Sequence, residues 1–464
     1  YCIFKLNGGI VLEKKKSIFY SSGSLAAALS SSVFSTYIIF YYVDVLKMPP
    51  ELIGLGMGIY GIWNAINDPL LGQMSDRTRT KWGRRIPYIL FGSVPFAIAF
   101  MLVWIPPIKW IGGNTNLMFA YFMAIVFLFD GLYTLVILNW TSLFPEMYKT
   151  QAERTKVSGY RQIFGIIGNI LGVALPPIIY SSIGWPYMGL IFAIITLISL
   201  YLSLLGSKEE AVYSEEIGLT LIESLKATFS NKSFLTYVIG SMFLQFTFVM
   251  LQAGLPFYAK YVLKVEDIKV SILLGTVFIV ALFFVNLWGK RANKKGSKST
   301  IILSTIFYGL ALVPFWFIKT FVGGVITASL IGIGLAGLLI LLDVLISDII
   351  DEDELKTGIR REGMYFGING FMIRLGISVQ SVLMGYILKS SGYSSSLSID
   401  AQPPQAIIGI KSLITIIPII SLVFAILFFK MYPLHGKRLD NVKKEVELLH
   451  LKKLGYKEDK SISN

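Results

Sequence analysis

Runs of about 20 apolar residues recur along the whole chain, each ended by charged residues or by proline and glycine. A helix of that length crosses about 30 Å of hydrocarbon, where every backbone amide must be satisfied within its own segment. The runs are continuous rather than alternating, so a membrane β-barrel is excluded. What remains is an all-α polytopic membrane protein. Charge agrees: 15% of the 464 residues are charged, against roughly a quarter in a water-soluble chain.

The breaks mark twelve spans, near 18–45, 52–74, 87–105, 116–145, 157–181, 186–206, 234–262, 269–289, 300–318, 322–348, 363–389 and 407–431. A longer polar stretch, 207–233, follows the sixth span and reads as a linker. The expected organisation is a short segment 1–17, a six-helix bundle 18–206, the linker, a second six-helix bundle 234–431 and a tail 432–464. Two six-helix bundles around a solute held near the midplane are the plan of the major facilitators. The two halves echo each other, with basic loops at Gly83-Arg84-Arg85 and at Gly289-Lys290-Arg291.

A net charge of +14 raises the question of nucleic acid. The basic residues, however, concentrate in alternate short loops, those after spans 2, 4, 6, 8 and 10, which is the positive-inside pattern. Those loops and both termini are expected in the cytoplasm of a plasma-membrane protein, facing anionic lipid headgroups. No nucleic-acid partner and a monomer are expected. The single cysteine, Cys2, offers no disulfide or metal spacing, and His435 and His450 both lie in the tail. A His- or Cys-based enzyme site is therefore not expected within the membrane, nor a metal or cofactor beyond a coupling ion. The tail spaces Leu439, Val442, Val446 and Leu449 as an amphipathic helix, for the membrane surface or the bundle's own end.

A charge inside a span costs at least about 2.5–3.5 kcal/mol, so each one needs a reason. Asp68 stands directly before Pro69 in span 2, with Asn64 one turn away on the same face. Such a pair suits a small cation or a titratable proton; the alternative is an acid that anchors a proline kink. Asp130 falls near the middle of span 4, with Thr134, Ile137 and Thr141 on its face and Trp140 beside it. A carboxylate, hydroxyls and an indole suit a polyhydroxylated solute such as a sugar. Asp130 could equally be neutralised by Arg161 of span 5. Arg161 and Arg374 each could bind solute, neutralise an acid or reach to the interface. After span 10, Asp348, Asp351 and their acidic neighbours meet Arg360 and Arg361. With Asp76, Arg77, Arg84 and Arg85 they read as a charge latch that closes the cytoplasmic face.

Three stretches carry a resemblance: NDPLLGQMSDRTRTKWGRRIPYIL, DIIDEDELKTGIRREGMYFGINGFMIRLG and the ending MYPLHGKRLDNV. The chain resembles the glycoside–pentoside–hexuronide:cation symporters, the melibiose-permease branch of the major facilitators. That resemblance implies sugar uptake coupled to H⁺ or Na⁺. It makes Asp68 and Thr134 coupling-ion residues, puts Asn64 where the family has a second acid, and makes Arg161 a sugar-site residue. Arg374 stands where the family has a lysine. Ala28, Ile137 and Thr141 replace an aspartate, an aspartate and a tryptophan. A site with fewer acids favours a proton. The expectation is thus an ion-coupled sugar symporter with Asp68, Asn64 and Thr134 for the ion, and Asp130, Trp140, Thr141, Arg161 and Arg374 for the solute. The alternatives are a carrier of another solute class, such as lysolipids, and a non-transporting sensor.

Overall fold

The computed structural model describes residues 15–148, 151–209, 228–358 and 361–453; helices joined by short connections make up this part, with no strand among the described residues. The first half holds α1 (Lys15–Val45), α2 (Pro50–Arg77), α3 (Ile86–Val103), α4 (Thr115–Met147), α5 (Gln151–Ala174, resumed as Pro176–Ile183) and α6 (Trp185–Gly206). The second holds α7 (Lys232–Tyr261), α8 (Asp267–Lys295), α9 (Ser297–Leu312), α10 (Phe321–Thr357), α11 (Glu362–Ser390) and α12 (Pro404–Ile414, resumed as Ile416–Met431). A tail helix, α13, spans Lys437–Lys453. Among the described residues, eleven helices are long and apolar enough to cross a bilayer. The twelfth, α2, has its apolar run broken by Asn64, Asn67 and Asp68. Large apolar side chains such as Phe283, 77% exposed, coat the outside, where lipid replaces water as the solvent.

Local chemistry sets the helix ends. Asn114 and Asn231 accept the first free amides of α4 and α7, and Pro50 and Pro404 stand at first-turn positions that need no N–H. The break in α5 falls at Pro176-Pro177, where the ring removes a donor and crowds the preceding turn. One expectation is corrected. Asp348 and Asp351 do not lie in a loop after the tenth span: α10 continues as helix to Thr357. The apolar pattern stops where the helix leaves the hydrocarbon, not where the helix ends.

Within the first half α1 packs on α5 and α6, α3 on α4 and α6, and α2 on α4. In the second, α8 and α9 pack on α10, and α7 on α11 and α12. The halves meet along α2–α11, α1–α7 and α5–α8. The seam is tightest at the end away from the basic loops, where Gly54 and Gly385 bring two backbones together. Toward the basic end it parts. Gly159 and Gly165 of α5 and Gly363, Gly367 and Gly370 of α11 have no neighbour within 4 Å of a Cβ position. The halves therefore enclose a cavity shut at one end and open at the basic end. The tail helix lies on α10 of the bundle rather than away from it: Val442 and Val446 are buried, and Lys443 reaches Asp348 at 3.2 Å.

Candidate functional site

The central cavity has a volume of about 440 Å³, within the range of small-molecule sites. The small residues Ser31, Ser32 and Ser35 on α1 leave the room. Ser32 is fixed by donating to Asn169 Oδ1 of α5 at 2.6 Å. Asn64, Asp130, Gln245, Gln252, Gln380 and Arg374 add polar groups, and Phe34, Phe129 and Phe248 add apolar ring surface. The wall is thus mixed, with amides and hydroxyls from both halves.

Its most ordered part is a network between α2 and α4. Tyr60, Asn64 and Asn67 stand at i, i+4 and i+7 and so share one face of α2. All three donate to Asp130, which is 2% exposed. Tyr60 OH reaches Oδ1 at 3.1 Å; Asn64 Nδ2 also bonds Oδ1, and Asn67 Nδ2 bonds Oδ2. Thr134 Oγ1 donates to Asn67 Oδ1 at 3.5 Å, extending the network one turn along α4. Asn64 Oδ1 is buried with no hydrogen-bond partner among the described residues. An acceptor left open beside a carboxylate in low dielectric is costly unless something donates or coordinates there. Arg374 of α11 comes in from the second half, Nη1 to Asn64 O at 3.4 Å. Asp68 follows Asn64 by one helical turn on α2; its side chain lies outside the described residues.

Of the expected site, Asn64, Thr134, Asp130 and Arg374 come together, while Trp140, Thr141 and Arg161 stand apart. Trp140 is ten residues beyond Asp130, about 15 Å along a helix. It is 2% exposed and locked into the α1–α4 seam: its Nε1 donates to Tyr20 O at 3.1 Å, and Tyr20 OH returns a bond to Trp140 O at 3.0 Å. The Arg161 guanidinium lies over the rings of Trp140 and Phe144, 4.8 Å from each centroid. It is spent on this aromatic stack rather than on pairing with Asp130. Thr141 is exposed, about three turns from Asp130 toward the basic end, and is not among the cavity-lining residues. Tyr60, Asn67, Asn169, Gln380 and the serines of α1 were not anticipated. For Tyr60 and Asn67 the signal was present, in their helical spacing from Asn64.

The described ion pairs at the basic end join groups of the same half. Arg84 and Arg85 hold Glu146 at 2.6 and 3.0 Å. Glu209 accepts the backbone amides of Arg84, Arg85 and Ile86 at 2.8, 3.0 and 3.3 Å, capping α3. Arg361 forks onto Asp353 at 2.6 and 2.9 Å, which raises the guanidinium pKa further. Arg438 and Lys356 take Glu352. The expected pairing across halves is not among the described contacts. The side chains of Asp76 and Arg77, and Arg360 altogether, lie outside the described residues.

Residues 19–436 match the family model described as MFS/sugar transport protein. An uncharacterised symporter of Synechocystis sp. is 26% identical, over 89% of this chain and 93% of its own. An isoprimeverose transporter of Lactiplantibacillus pentosus is 26% identical, over 92% and 90%. A sodium-dependent lysophosphatidylcholine symporter of Xenopus tropicalis is 22% identical, over 93% and 89%. The crystal structure of the nucleoside transporter NupG superposes with a TM-score of 0.65 at 16% identity, over 90% of this chain and 99% of that one, and so shares the fold. A twelve-helix bundle split around a polar cavity, matched over nearly its whole length by that family model, belongs to the MFS/sugar transport family: it is a multi-pass membrane transporter.

Proposed function

We propose that this transporter carries a sugar or glycoside together with a proton, by alternating access, in the plasma membrane with its basic end and both termini in the cytoplasm. The observation that carries the reading is the Asp130 network on the cavity wall. A buried carboxylate accepts hydrogen bonds there from Tyr60, Asn64 and Asn67, beside an Asn64 acceptor that has no partner among the described residues. A small cation arriving at this face of α2 would be coordinated by that acceptor; a proton would be taken up by the carboxyl of the next turn, whose O–H could then donate to it. Asp68, one helical turn from Asn64, is the coupling carboxylate, and Asn64 and Thr134 complete the coupling-ion set. Asp130 and Arg374 border the solute. Arg161, through its aromatic stack with Trp140, steadies the path toward the basic end. Arg84, Arg85, Asp348 and Arg361, now paired within halves, exchange partners when that end closes, and Asp76, Arg77, Asp351 and Arg360 belong to the same set.

A hydroxyl-rich solute suits the distribution of Ser31, Ser35, Asn169, Gln245 and Gln252 around the cavity. Two relatives divide here, one named for a sugar and one for a lysolipid. The adjoining apolar pocket, lined by Phe248, Leu255 and Phe278, holds only about 30 Å³, too little for an acyl chain. This favours the sugar. The test is uptake of labelled glycosides into proteoliposomes under imposed pH or Na⁺ gradients. Accumulation that needs a pH gradient and depends on hydroxyl stereochemistry supports the reading. Uptake of lysolipid in place of any sugar overturns it.

A further inference from the structure

Two cavities meet at α1 and are separated by a thin plug. Ile38 and Ile39 line the central cavity, and Phe40, Asp44 and Val45 line a wider recess of about 820 Å³ at the end away from the basic loops. Between them Phe40 packs edge-on to Phe257 of α7, with centroids 5.1 Å apart. Phe257 packs edge-on in turn to Tyr393 of the α11–α12 connection at 5.7 Å. Asp44 fastens this plug. It is 1% exposed and lies in a π-helical turn, Tyr41–Val45, a widened geometry that often marks functional sites. Its carboxylate takes Lys260 Nζ and the hydroxyls of Tyr261 and Tyr393, the last at 2.6 Å. All three donors belong to the other half. A second cross-half contact lies beside it, from Tyr180 OH to Asp267 at 3.4 Å.

A buried ion pair is a poor source of net stability but a good switch. Once parted it leaves an unpaired charge in low dielectric, so its closed and open states are well separated unless water reaches both groups. Lys260 already faces the recess, its side chain 33% exposed, and so can be hydrated as it leaves. Asp44 borders the same recess but is 1% exposed, and gains water as the rings move aside. We infer that Asp44, with Lys260, Tyr261 and Tyr393, is the latch of the outer gate, and that its parting joins the recess and the central cavity into one solute path. The inference rests on the alternating-access reading above for its purpose, but not for its geometry.

The test uses the full chain in proteoliposomes, with Cys2→Ser and a reporter Ile39→Cys, and a membrane-impermeant thiol reagent added at the face that carries Asp44. Labelling is expected to be slow in the parent and faster on the order of tenfold in Asp44→Asn, a shift of about 1.4 kcal/mol in the gate equilibrium. Lys260→Met, which keeps most of the side-chain volume, is expected to act in the same direction. The exchange Asp44→Lys with Lys260→Asp should return the rate toward the parent's. Unchanged labelling in folded Asp44→Asn and Lys260→Met overturns the latch, as does failure of the exchanged pair to slow labelling. The readout does not need a transported sugar. A parent that carries no sugar yet responds to these variants counts against the symport reading and for the gate; sugar uptake with unmoved labelling counts against the gate alone.

Discussion

The crossing of α2 and α11 offers a perturbation whose size follows from the coordinates. A Cβ on Gly385 would lie 2.5 Å from the Pro50 carbonyl oxygen and 2.9 Å from the Gly54 Cα, where ordinary contact begins at 3.4 Å. Both neighbours are backbone, so no side chain can swing aside, and the helices must separate by nearly an ångström. Overpacking of this kind costs about 1–3 kcal/mol. The strain exists only while the outer end is shut, because the contact joins the two halves. Gly385→Ala should therefore move the population toward outer-end-open forms by about 5- to 150-fold. Spin labels at Lys109 and Lys319, on exposed outer connections of opposite halves, would report it as a growing long-distance component in pulsed EPR. A distance distribution and thermal stability identical to the parent's would refute the argument that this seam requires glycine.

Asp130→Ala strips three buried donors of their acceptor and should cost about 1–3 kcal/mol, seen as a lower melting temperature together with lost uptake; Asp130→Asn should keep more of the stability than of the uptake. Glu209→Ala removes the carboxylate that caps α3 and should destabilise by about 0.5–2 kcal/mol in thermal unfolding, with uptake by the folded fraction little changed. Arg438→Ala and Lys443→Ala loosen the tail helix from the acidic end of α10. Both bases are about half exposed, so each change should cost no more than about 1 kcal/mol and lose its effect in high salt.

The helices were legible because hydrocarbon leaves a chain few options: a continuous apolar run of membrane length has to be a helix. Their ends were less legible where charge and helix overlap, as in the last turns of α10, since the acids mark the water boundary rather than a break in hydrogen bonding. Within the site, a mid-span acid at Asp130 stood out at once, and the Tyr60–Asn64–Asn67 stripe facing it follows from helical spacing alone. The grouping of Trp140 and Arg161 with Asp130 failed for a simple metric reason, the 1.5 Å rise per residue that carries Trp140 well down α4. Asp44 gave no signal. It sits at a span end, where acids ordinarily meet water, and its partners Lys260 and Tyr393 are 216 and 349 residues away in sequence. Such a contact is set by how two bundles dock, which one sequence does not display.

The central claim is that solute movement is tied to an ion at the α2 carboxylate, and one measurement addresses it: accumulation of a labelled glycoside in proteoliposomes under an imposed pH gradient, for the parent and for Asp68→Asn. The parent should concentrate the sugar against its gradient and lose that ability when the pH gradient is collapsed. Asp68→Asn should fail to concentrate it while still exchanging labelled for unlabelled sugar. Accumulation by Asp68→Asn equal to the parent's would contradict the account.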